Sequence, residues 1–162
     1  MQIRMEKTVP VNQRIKTLLP WVLVILWMFL IFNMSSQPAT QSNSLSLGVT
    51  EKVIETVNKF KPGADLNIET VNHIVRKNAH FFAYLLLAVL TLNALRKGEK
   101  LGWRKSILAF VICVLYAASD EIHQLFVPGR GPQVKDVFID SSGALLGIAI
   151  FMVVNNILNR NS

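Results

Sequence analysis

A chain of 162 residues that is 51% hydrophobic and 17% charged falls short of the roughly 25% charge of an ordinary soluble domain. Its net charge of +7 is gathered beside apolar blocks rather than along a stripe with interleaved aromatics. That excludes a nucleic-acid surface and points to anionic lipid headgroups and a membrane topology signal. The single cysteine, Cys113, lies inside an apolar block, so an intrachain disulfide is excluded.

The apolar residues fall into four blocks, and one membrane domain over residues 1–162 is expected. The first block, 18–34, follows a leader carrying Arg4, Lys7, Arg14 and Lys16. It exceeds the apolar length of a cleaved signal, roughly 7–15 residues, and no small-residue cleavage site follows, so a retained anchor is expected. As a helix it is about 26 Å long, and Thr17 and Ser35 complete the crossing at the interfaces. Residues 35–46, rich in Ser, Gln and Asn and containing Pro38, read as an exposed loop. From Thr50 to Phe60, Val53, Ile54, Val57 and Phe60 recur at helical spacing between Glu51, Lys52, Glu55 and Lys59. This is an amphipathic helix, lying on the membrane or over the bundle, and Lys61-Pro62-Gly63 ends it. Asn67 is a plausible N-cap for a long helix reaching Leu95, whose second half, 79–95, is the second span. A basic connection (Arg96, Lys97, Lys100, then Arg104 and Lys105) leads to a third span at 106–126. Pro128-Gly129 and Gly131-Pro132 mark a tight turn before a fourth span at 137–158.

The fold expected is an all-α membrane bundle of four transmembrane helices, with the amphipathic helix in an extracytoplasmic loop over 35–78. An even number of spans puts both termini on one side. The basic leader and the basic connection between spans two and three make that side cytoplasmic by the positive-inside rule.

With that topology, ionisable side chains converge on one leaflet. His73, Lys77, His80 and Tyr84 share a helix face at i, i+4, i+7 and i+11, with Arg76 beside them. The third span ends with Asp120, Glu121, His123 and Gln124. The fourth begins with Asp136 and, a turn deeper, Asp140, and Arg130 lies in the turn between. A charge within a span costs roughly 2.5–3.5 kcal/mol, so Asp120, Glu121 and Asp140 should be paired or face a wet cavity. One interpretation is interfacial: Arg76 and Lys77 touch headgroups, the acids end a helix, and Arg130 pairs with Glu121 or Asp136. Another is a site for a phosphate-bearing or lipid-linked ligand, with Arg76 and Arg130 as anion clamps and Glu121, Asp140 or His80 as acid–base candidates. Carboxylates and imidazoles at 80, 120, 121 and 123 suit a divalent metal in type, but their spacing matches no closed metal motif, and none is expected. No phosphate loop, nucleophile elbow or CxxC motif is present. Gly143 and Gly147 form a small-xxx-small pair for close helix contact, either within the bundle or in a homo-oligomer.

Four segments carry a family resemblance: Phe32-Asn33-Met34-Ser35-Ser36-Gln37-Pro38, Arg76-Lys77-Asn78-Ala79-His80-Phe81-Phe82-Ala83-Tyr84, Ser119-Asp120-Glu121-Ile122-His123-Gln124-Leu125-Phe126-Val127-Pro128-Gly129-Arg130, and Asp136-Val137-Phe138-Ile139-Asp140-Ser141-Ser142-Gly143-Ala144-Leu145-Leu146-Gly147. In this order the chain resembles the VanZ-like family of bacterial membrane proteins. The resemblance implies a four-helix protein of a bacterial cell envelope and cell membrane, in a family named after a protein associated with teicoplanin resistance. It carries over Arg76, Lys77, His80, Asp120, Glu121, Gln124, Arg130, Asp136, Asp140 and Gly143 as motif positions. The partners it implies are membrane lipids, a lipid-linked wall precursor or a glycopeptide.

Overall fold

The structure, a computed structural model, describes residues 11–61, 66–96, 102–131 and 133–160, with side chains from residue 17 onward. The basic residues of the amino-terminal leader, Pro62-Gly63, residues 97–101 of the basic connection, and Pro132 lie outside the described residues or side chains. Among the described residues five helices follow in chain order: α1 Val11–Ser35, α2 Ala39–Phe60, α3 Ile68–Arg96, α4 Trp103–Gln124 and α5 Val134–Arg160.

Helices α1, α3, α4 and α5 are long and apolar enough to cross a membrane. Within their spanning segments only 11–33% of the most apolar stretch is buried by the rest of the chain. Leu18, Ile25, Phe29, Leu115, Leu146 and Val153 all face outward. A helix that is apolar on nearly every side needs a hydrocarbon solvent, and this is a multi-pass membrane protein.

Contacts fix the order of the bundle. The ends of α1 and α4 meet where Gln124 Nε2 donates to Ser35 Oγ at 3.0 Å. The starts of α3 and α5 meet at the same end through Lys77 and Asp136, 2.8 Å apart. At the opposite end Arg96 Nη1 donates to Asn155 Oδ1 at 2.8 Å. The four spans therefore run alternately up and down. Helix α1, the least enclosed, is tied by two side-chain donors that reach helix carbonyls: Trp27 Nε1 to Ala83 O at 2.9 Å and Tyr116 Oη to Met28 O at 2.5 Å.

The tightest packing joins α3 to α5. A Cβ added at Gly143 would lie 2.2 Å from Phe81 O, and one at Gly147 would lie 2.3 Å from Leu85 O. The missing side chains let the α5 backbone rest on α3, which shapes association where lipid and side chain are equally apolar. The glycine pair thus serves a helix contact within the bundle, the first of the two uses expected from its spacing. Its face is filled by α3 of the same chain, and an oligomer through it would have to displace α3. Ala109, Cys113 and Ala117 form a comparable small-residue stripe on α4, all fully buried.

Asn67 caps α3 as the sequence suggests, with Oδ1 accepting from the backbone N–H of Glu69 at 2.8 Å and of Thr70 at 3.2 Å. The loop expected over 35–46 is a correction: α2 already begins at Ala39. Ser44 and Ser46 donate their hydroxyls back to the carbonyls of Gln41, Ser42 and Asn43. A loop-like composition is thereby absorbed into helix. Helix α2 packs along the first turns of α3, where Thr50 Oγ1 donates to Asn72 Oδ1 at 3.0 Å, and it leaves Leu45, Val49, Val53 and Phe60 exposed.

Candidate functional site

The ends of α4 and α5 are joined by a short connection whose conformation depends on one glycine. Gly129 has φ of 74°, in the left-handed region where a side chain is strained, and a Cβ there would press to 3.2 Å from Ala39 Cβ. Arg130 N closes the turn on Val127 O at 3.1 Å, and Ala39 N donates to Pro128 O at 3.3 Å. The turn is thus seated on the first residue of α2, and Arg130 is directed back over the bundle.

Beneath it lies a cleft of about 150 Å³. Helix α3 contributes His73, Arg76, Lys77 and His80; α4 contributes Glu121 and Gln124; the turn contributes Arg130; and α5 contributes Asp136 and Asp140. Of the polar and ionisable residues singled out from sequence in these segments, all but Asp120, Tyr84 and His123 line this one space. Asp120 is 3% exposed and sits behind the wall, beside Ser35. Tyr84 is fully buried, with Asp120 and Asp140 as its charged neighbours. His123 is turned away and stacks on Phe32 with ring centroids 4.5 Å apart. Among the described residues no group of three or more His, Cys, Asp or Glu side chains is arranged to hold a metal ion.

The acids of the cleft are mostly engaged. Asp136 pairs with Lys77 at 2.8 Å, and Lys77 also reaches Gln133 Oε1 at 3.4 Å. Glu121 Oε2 accepts from the backbone N–H of Gln133 at 2.8 Å. The pairing of Arg130 with Glu121 or Asp136 that the sequence allowed is therefore replaced by other partners. Asp140, 1% exposed, has Oδ2 at 3.7 Å from His80 Nδ1, an ion pair whenever the imidazole is protonated.

The arginines are different. Arg76 Nη1 donates to Asn43 Oδ1 at 2.8 Å, and Arg130 Nη2 reaches the Met34 carbonyl at 3.5 Å. Both partners are neutral, and neither guanidinium forms an ion pair among the described residues. Arg130 Nε is buried with no hydrogen-bond partner among them. Burial first, and the nearby Arg76 charge second, press the Arg130 pKa below its ordinary value, while Asp120 and Glu121 act the other way. Arginine stays protonated regardless. Two like charges thus face one small space, partly desolvated and with donors to spare. An anion placed between them would relieve their repulsion and fill those donors.

Sequence reasoning missed Gln133 and Asn43. Gln133 acts on Glu121 through its backbone N–H, which no side-chain pattern reveals. Asn43 lay in the stretch read as loop.

These features define a polytopic α-helical membrane protein whose helix ends and one short turn enclose a polar, arginine-bearing cleft. A family model described as VanZ/LLP1 matches residues 20–155, and the chain belongs to that family. Neither the curated proteins nor the solved structures give a match to it.

Proposed function

We propose that this chain is a binding protein of the bacterial cell membrane whose cleft, opening on the outer face, holds the phosphate of an envelope lipid or lipid-linked wall precursor. The carrying observation is that Arg76 and Arg130 face the cleft together, with only neutral partners among the described residues. The outward orientation is supported by the positive-inside asymmetry of the basic segments, which favours a cytoplasmic side for both termini. Holding wall precursors at that surface would change how far a glycopeptide such as teicoplanin reaches them, which connects the cleft to altered glycopeptide susceptibility.

A second reading is favoured by the His80–Asp140 contact at 3.7 Å. A buried carboxylate beside an imidazole, next to an anion clamp, is also a workable acid–base pair on a phosphate-bearing substrate, with Glu121 as a further candidate base.

Glu121→Gln and Asp140→Asn separate the two, since each keeps size and hydrogen bonding but loses the ionisable group. For a binding protein, Glu121→Gln removes a negative charge from the cleft wall, so phosphate should bind more tightly by about 1 kcal/mol, roughly fivefold. Both variants should complement a strain lacking the protein as well as wild type does. Complementation lost in both variants, with phosphate binding intact, would establish the acid–base reading instead.

A further inference from the structure

On the outer surface where α3 crosses α5 lies a second hollow, a groove of about 370 Å³. Ile74, Asn78 and Phe81 form its α3 wall, and Ile139 and Ser142 its α5 wall. Lys77 and Ile139 line both this groove and the cleft, so the two spaces share a wall. The surroundings are apolar, since Phe82 and Phe138 project outward at 61% and 72% exposure. The groove's two uncharged polar residues are turned back on their own helices. Asn78 Nδ2 donates to Ile74 O at 2.9 Å, and Ser142 Oγ donates to Ile139 O at 2.6 Å. What remains facing the groove is largely hydrocarbon.

A phosphate held among helix ends poses a geometric problem if it belongs to a lipid. The chain attached to it must leave sideways into the bilayer, because hydrocarbon will not pass through a polar rim into water. The groove supplies that exit. At its junction with the cleft stands Lys77, one donor committed to Asp136 and another within 3.4 Å of Gln133. An ammonium has three donors on a flexible stem and can accept a phosphate there.

We propose that the α3–α5 groove seats the hydrocarbon chain of a lipid phosphate whose phosphate occupies the cleft, with Lys77 at the threshold between the two. This rests on the phosphate-binding reading of the cleft. It makes the ligand a membrane lipid entering laterally rather than a water-soluble phosphate.

Purified full-length protein in phosphatidylcholine nanodiscs can be titrated with dioleoylphosphatidic acid and, separately, with inorganic phosphate. Ser142→Trp fills the groove without touching the cleft lining. It should weaken phosphatidic acid binding by about tenfold or more, a loss of one decade or beyond in affinity, and leave inorganic phosphate binding unchanged. Unchanged phosphatidic acid binding would overturn the groove assignment while leaving the anion site standing. If Ser142→Trp loses both ligands through misfolding, Ile74→Trp, which fills the groove from the exposed side of α3, decides by the same criterion. Wild-type protein that binds neither ligand would instead refute the phosphate reading itself, and the groove assignment with it.

Discussion

Replacing Arg76 and Arg130 together by glutamine is expected to remove phosphate binding from the cleft almost completely. Hydrogen bonds to charged groups are worth about 1.5–3 kcal/mol each. Two guanidiniums contributing one such bond apiece supply about 3–6 kcal/mol, roughly a hundredfold to ten-thousandfold in affinity. Glutamine keeps much of the length and a donor amide, so Arg76→Gln can retain a contact to Asn43, and what is lost is charge. Because neither arginine pairs with a carboxylate among the described residues, the double variant breaks no ion pair of the fold. It also relieves the repulsion between two neighbouring cations. Its melting temperature should accordingly stay at the wild-type value or rise. Calorimetric titration of inorganic phosphate into the purified protein measures the first effect, and thermal unfolding measures the second. Wild-type affinity in the double variant would mean that the arginines are only interfacial charges.

The second large effect concerns the architecture that brings the cleft together. At Gly147 the nearest atom to an added Cβ is a backbone carbonyl, Leu85 O at 2.3 Å. It cannot swing aside as a side chain would. Gly147→Leu must therefore push α3 and α5 apart, and the contacts of Lys77 with Asp136 and of His80 with Asp140 span that same pair of helices. Overpacking costs typically 1–3 kcal/mol, and for a chain of this size about 3 kcal/mol lowers the melting temperature by on the order of 10 °C. Gly48 on α2 is the control, because nothing lies within 4 Å of a Cβ built there. Gly48→Leu should melt as wild type does, and equal melting of the two leucine variants would contradict the packing described.

Much of this arrangement was legible in the residues because two periodicities coincide in them. Unbroken apolar stretches mark the spans, and the interruptions of those stretches, Arg76 with His80, Glu121, and Asp136 with Asp140, mark the level at which the cleft lies. The N-cap at Asn67 was equally plain, since its side chain has one local use. Two things were hidden. The start of α2 was masked because serines that favour loops in water can satisfy their hydroxyls within a helix, as Ser44 and Ser46 do. The split between Asp120 and Glu121 was masked by adjacency. Neighbours in sequence point about 100° apart on a helix, so Glu121 enters the cleft while Asp120 is carried behind its wall. Pairing was the least readable property. Arg130, Glu121, Lys77 and Asp136 offer several electrostatically sensible combinations; among the described residues Lys77 takes Asp136 and Arg130 pairs with no carboxylate.

The proposed function requires the cleft to face water on the outer side of the membrane. Gln133 is exposed and lines the cleft, and the buried Cys113 can be changed to serine to leave a Gln133→Cys thiol as the sole target. In intact cells a membrane-impermeant maleimide should label that thiol without permeabilisation. Labelling seen only after the membrane is opened would place the cleft in the cytoplasm and remove outer-leaflet lipids and wall precursors from its reach.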